Sequence, residues 1–255
     1  TATLSLSSLN AAQQAALDQL PPVVAGALHH VWDVLGADSA RAQLLELLEK
    51  NTLTQADQGQ TVAESLQKMT AKPRGQGIDA ESLTRQSVAL LAQPNQFTNQ
   101  GINPYTCGAA NLQFEMAENP ARLARFIEDI TDGDGQMTFA QGETFVRPQG
   151  AELEDNSGRN SLNRIVQSTL MNFAGSARGP YDPSTDTFAD GEHGRPVDWP
   201  GRAYHDDARS RVSLSPAAGV ERLQPDPGCQ QSYGQSPDCR SPAHGLVDAG
   251  VGRAA

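Results

Sequence analysis

The sequence predicts an α+β fold: a helical N-terminal region over residues 1–95, a mixed segment over 96–193 and a tail over 194–255. Three observations predict it. Apolar residues recur at helical spacing through the first ninety-odd residues. A two-stranded pattern around Gln141-Gly142 then lies between two further amphipathic stretches. Beyond Arg195 the chain contains no Phe, Ile, Met or Lys and only three leucines, so no hydrophobic period survives.

In "PPVVAGALHHVWDVLG" the residues Val24, Leu28, Val31 and Leu35 share a helical face, with prolines at the entry and Gly36 at the exit. "DSARAQLLELLEK" repeats the pattern, with Asp38 or Ser39 as its cap. Val62, Leu66 and Met69 mark another helix, and "DAESLTRQSVALLAQP" one more, stopped by Pro94. His29 and His30 fall inside a helix, where histidines are ordinary surface or satisfied residues.

In the second segment, "NPARLARFIEDI" places Leu123, Phe126, Ile127 and Ile130 on one face. "GQMTFAQGETFVRP" reads as a β-hairpin. "SLNRIVQSTLMNFA" gives another helix through Leu162, Ile165, Val166, Thr169 and Phe173.

The tail holds seven of the sixteen prolines, seven arginines and seven glycines in its last 61 residues, a composition that buries too little apolar surface to order itself. The favoured reading is out-of-frame translation of a GC-rich gene. A one-base shift lets "HGRPVDWPG" become His-Gly-Leu-Ser-Thr-Gly-Gln. It also turns the stretch beginning "SYGQSPDCR" into a plausible helix and strand.

The chain has 255 residues, enough for a substantial core, and a formal charge of -11 with a pI near 4.8. An acidic chain without a basic stripe argues against nucleic acid as a partner. No apolar run approaches a membrane span. The first residues lack a basic, apolar and small-residue signal pattern and an initiator Met. The expectation is therefore a cytoplasmic protein, one exported by a specialised route, or an excised piece.

Chemistry concentrates at "NPYTCGAANLQFEMA". A cysteine at the start of a helix meets unpaired backbone N–H groups and the positive end of the dipole, which favour a thiolate. Ala109, Leu112 and Met116 on one side, and Ala110, Phe114 and Ala117 on another, suggest a helix buried on more than one side. Pro104 limits its extension upstream. The alternative is a small buried cysteine at a helix start. Cys229 and Cys239 either pair with each other or stay free.

"QGINPYTCGAANLQ" resembles the nucleophile segment of papain-like cysteine peptidases, and more closely bacterial variants in which a Gln precedes a Thr-Cys-Gly turn. The resemblance is strong over about fifteen residues and loose from Leu90 to His193. It implies a central nucleophile helix, a thiol hydrolase of peptide or amide bonds (a bacterial peptidase or toxin-like effector), and an oxyanion hole completed by a glutamine six residues before the cysteine. Gln100 stands seven before, so either the loop bulges or Asn103 takes that role. The family further implies a histidine base about a hundred or more residues downstream at a strand start. His193, His205 and His244 are available, and His244, opening "HGLVDAGV", has the suitable spacing. No cofactor is expected. A second function class also fits: a catalytically inert chain whose N-terminal helices dock a protein partner such as a secretion chaperone.

Metal sites fare poorly. "DITDGDGQMTFAQGE" fails the EF-hand register, because Gly135 at the turn position puts Ile130 first and Gln141 twelfth. "DPSTDTFADGE" spaces Asp182, Ser184, Asp186 and Asp190 like ligands but lacks the turn glycine, and reads as a solvated acidic loop.

Overall fold

A computed structural model of the chain describes residues 6–102, 104–139 and 142–193. The structure is a mixture of helices and small antiparallel sheets. Helices α1 (Ala11–Asp18), α2 (Pro22–Leu35), α3 (Asp38–Glu49), α4 (Val62–Ala71) and α5 (Ala80–Ala92) build the N-terminal region, and the short α6 (Pro94–Phe97) follows. The second segment holds α7 (Cys107–Met116), α8 (Pro120–Thr131) and α9 (Ser161–Ala174). Among the described residues three two-stranded antiparallel hairpins accompany the helices: β1 (Ala56–Asp57) with β2 (Gln60–Thr61) in the N-terminal region, and β3 (Gln136–Thr138) with β4 (Thr144–Val146) and β5 (Tyr181–Asp182) with β6 (Thr187–Phe188) in the second segment.

Local chemistry explains most boundaries. Pro22 opens α2, whose buried stripe runs Val24, Ala27, Leu28, Val31 and Leu35. In α4 the Thr61 side chain accepts from the Glu64 N–H while the Glu64 carboxylate accepts from the Thr61 N–H, a reciprocal capping box. Neither Asp38 nor Ser39 caps α3. Ala37 is the N-cap and offers no side-chain acceptor, while Asp38 lies in the first turn, where its charge complements the helix dipole.

The core runs unbroken across residue 95. Helix α4 packs on α8 and α5 on α9, so the N-terminal helices and the following segment share one hydrophobic cluster. Helix α8 contributes Leu123, Phe126, Ile127 and Ile130, all fully buried. The β3–β4 hairpin docks through Phe145, which meets Phe126 edge-on at 5.5 Å and stacks on Phe173 at 3.9 Å between ring centres. Such aromatic pairs contribute about 0.5–1.5 kcal/mol each beyond their buried area.

The helix buried on all sides is α9, not α7. Every residue from Leu162 to Met171 is buried, five of them with hydrogen-bonding side chains: Asn163, Arg164, Gln167, Ser168 and Thr169. Helix α7 buries only Ala109, Ala110, Gln113 and Met116, and Phe114 stands 41% exposed. The expectation of a nucleophile helix enclosed on several sides is thereby corrected. Gln113 takes the buried position, and it does so because α9 offers it amide partners.

Candidate functional site

Cys107 is the first residue of α7, entered through a 3-10 turn over Pro104–Thr106. Its thiol is free and half-buried. Thr106 is the N-cap, yet its side chain makes no cap hydrogen bond, and its Oγ1 is buried without a partner among the described residues. The first backbone N–H groups of α7 therefore receive no cap from Thr106. They are donors of the kind that favours a thiolate or an oxyanion.

The loop before the cysteine is held at several points. Asn99 Oδ1 accepts from the Gly101 N–H at 2.7 Å, and the Ile102 N–H donates to the Ser157 carbonyl at 2.9 Å. Gly101 has a φ of 66°, and a side chain at this position would collide with that same carbonyl, so only glycine fits. Gln100 lies half-buried within this loop. Asn103 and His244 lie outside the described residues, as do His205, Cys229, Cys239 and the tail from 194 to 255.

Among the described residues, the histidine that the fold brings to the cysteine segment is His193. Its ring stacks on Tyr105, two residues before Cys107, with ring centres 4.1 Å apart and 1° between the planes. His193 forms an isolated antiparallel bridge with Thr187 of β6. Its Nδ1 lies 3.1 Å from the Asp186 carbonyl. A carbonyl can only accept, so Nδ1 carries the proton in the neutral ring and Nε2 is left as the basic nitrogen.

A buried polar network links these parts. Gln113 of α7 donates to Asn163 Oδ1 at 2.7 Å, and Gln167 donates to Gln113 Oε1 at 3.0 Å. Asn163 donates onward to the Phe97 carbonyl at 2.8 Å, and Gln167 to the Asn99 carbonyl at 3.0 Å. Arg159, fully buried, reaches Gln167, Ser157, Asp155 and Asp186. Tyr181 donates its hydroxyl to Asp186. Burial, followed by the nearby Asp186 carboxylate, pushes the Tyr181 phenol well above its usual range. Burial likewise pushes Asp186 up, against the pull of Tyr181 and Arg159. At Asp155 burial acts upward too, but hydrogen bonds from Ser157 and Arg159 prevail and hold it below the usual carboxylate range.

No group of three or more metal-ligating side chains converges among the described residues. In the Asp182–Glu192 stretch, read above as a solvated loop, the structure shows the β5–β6 hairpin. There Asp182 accepts from Ser184, and Asp190 pairs with Arg178 at 2.8 Å. In the glycine-rich turn, Asp132 accepts from the N–H groups of Asp134 and Gly135. Internal donors occupy these carboxylates.

Sequence reasoning weighed His193 but favoured His244, it met Asp186 only as part of a solvated acidic loop, and it passed over Arg159, Gln113, Asn163 and Gln167. One signal was legible. Asn163 and Gln167 sit four residues apart inside a strongly apolar helix, a spacing that buries two amides on one face. No family model, curated protein or solved structure matches this chain.

Proposed function

We propose that this chain is a thiol hydrolase of peptide or amide bonds, with Cys107 as nucleophile, His193 as base and Gln100 as an oxyanion donor. The observation that carries this reading is the Tyr105–His193 stack, which holds an imidazole with a basic Nε2 against the turn that leads into Cys107. His193 takes the role because its ring lies on the cysteine segment.

In the reaction, the Cys107 proton passes to His193 Nε2 and the thiolate sulfur bonds to the substrate carbonyl carbon. The carbonyl oxygen becomes an oxyanion, stabilised by the Cys107 N–H and the Gln100 side-chain amide. Collapse expels the amine, which takes the proton from His193. Water, deprotonated by His193, then cleaves the thioester, releases the acid and restores the thiol. The substrate is a peptide or protein.

Docking through residues 1–95 gains no comparable support. The large apolar side chains of that region pack inward, and among its described residues Val23 is the exposed exception at 64%.

The test is iodoacetamide labelling of Cys107 in a C229S/C239S chain at about pH 6 and about pH 9. An activated Cys107 labels readily at the lower pH, H193A abolishes that reactivity, and H244A leaves it intact. Labelling that follows an ordinary thiol and ignores H193A would sink the reading.

A further inference from the structure

We propose that Arg159 is the positioning residue that sets both the His193 ring and the Gln100 loop against the Cys107 helix. Its functional meaning rests on the thiol hydrolase reading, while its geometry can be tested independently of that reading.

The guanidinium is fully buried and branches three ways. Its Nε donates to Ser157 Oγ at 2.9 Å, and the Ser157 carbonyl receives the Ile102 N–H. Its Nη1 donates to Gln167 Oε1 at 3.3 Å. The Gln167 amide in turn holds Gln113 on α7 and the carbonyl of Asn99, the residue before Gln100. Its Nη2 bonds the Asp155 carboxylate and lies 3.8 Å from Asp186 Oδ1. Asp186 is the residue whose carbonyl receives His193 Nδ1.

Two features argue for positioning over simple cohesion. Replacing a buried ion pair with apolar side chains is often neutral or stabilising, so stability alone gives little reason to sink a guanidinium between two carboxylates. Asp186 also adopts a left-handed φ of 53°, a conformation that persists when surrounding contacts determine it. Arg159 and Tyr181 supply those contacts, and the reward is a carbonyl aimed at the imidazole. The fork geometry is essential. A lysine supplies the charge but cannot span Ser157, Gln167 and two carboxylates at once.

The experiment records long-range 1H–15N correlation spectra of the imidazoles in the full chain, with His193 assigned by H193Q, and compares wild type with R159K. Free neutral imidazole favours the Nε2–H form. Wild-type His193 should show the Nδ1–H signature, and R159K should revert towards Nε2–H. In the C229S/C239S background, R159K should also label Cys107 roughly tenfold more slowly at about pH 6, with labelling of the fully ionised thiolate at high pH unchanged. A purely structural Arg159 would lower the melting temperature and leave both the tautomer and the low-to-high pH labelling ratio as they are, which overturns the proposal. If R159K does not fold, S157A keeps every charge and removes one anchor of the fork. It should shift both readouts in the same direction, and no shift overturns the proposal. If the tautomer responds to R159K while wild-type Cys107 labels as an ordinary thiol, the hydrolase reading fails, and the catalytic purpose of Arg159 fails with it.

Discussion

Tyr105 and His193 lie face to face, 88 positions apart in the chain, with ring centres 4.1 Å apart. This stack joins the turn before α7 to the hairpin built on β5 and β6. A flat contact of this kind fixes the plane of the imidazole, and the Asp186 carbonyl fixes its rotation within that plane.

Removing the ring should therefore release the histidine without disturbing the core. Y105A is expected to lower Cys107 labelling at about pH 6 several-fold and to destabilise the chain by about 1 kcal/mol, whereas Y105F, which keeps the stacked ring, retains the labelling. Labelling kinetics beside urea melts of the three proteins check it.

Gly101 answers to sterics. G101A forces a Cβ against the Ser157 carbonyl at a positive φ, and should destabilise the chain by about 1–3 kcal/mol. A urea midpoint equal to wild type would contradict the loop path described above.

Phe145 holds the β3–β4 hairpin on the core through Phe126, Phe139 and Phe173. F145A should cost about 3–5 kcal/mol in equilibrium unfolding, since the cavity is lined by rings that cannot all close in. A loss below 1 kcal/mol would mean that the hairpin carries little of the fold.

Asp129 sets a pH dependence. Burial first, and the neighbouring Glu128 carboxylate next, raise its pKa from 3.8 to about 6. Folding thus favours the protonated form. Its contribution is fully present below about pH 3.8 and is lost as pH rises through about 6. Ionised Asp129 is strained against Glu128, with Arg125 at 3.7 Å offsetting part of the penalty. D129N should then be about 1–2 kcal/mol more stable than wild type at pH 8, and the gap should close below pH 4. Paired melts across that range would show whether the gap closes in this sense or the opposite one.

Periodicity reads the helices well because burial of Leu28, Ile127 or Val166 depends on spacing along a single element. The β3–β4 hairpin was visible for the same reason. The site was only half legible. Cys107 announced itself through local sequence, a helix start behind a proline. His193 and Arg159 did not, because His193 reaches the cysteine segment through a ring stack on Tyr105 and Arg159 through contacts with Gln167 and Asp186. Spacing along the chain favoured His244, which lies outside the described residues; that His193 comes to Tyr105 depends on how the β5–β6 hairpin docks, and no local pattern encodes that. The β5–β6 hairpin itself hid behind a run of acidic and hydroxyl residues that resembles a loop.

The long reach of the Tyr105–His193 stack has a consequence during synthesis. The cysteine leaves the ribosome 86 residues ahead of the histidine, a lag of about 4–17 s at ordinary elongation rates. On the proposed mechanism the thiol lacks its base throughout that interval, so the nascent chain passes its neighbours and its chaperones with the sulfur unarmed. Only the arrival of the β5–β6 hairpin brings the His193 ring onto Tyr105.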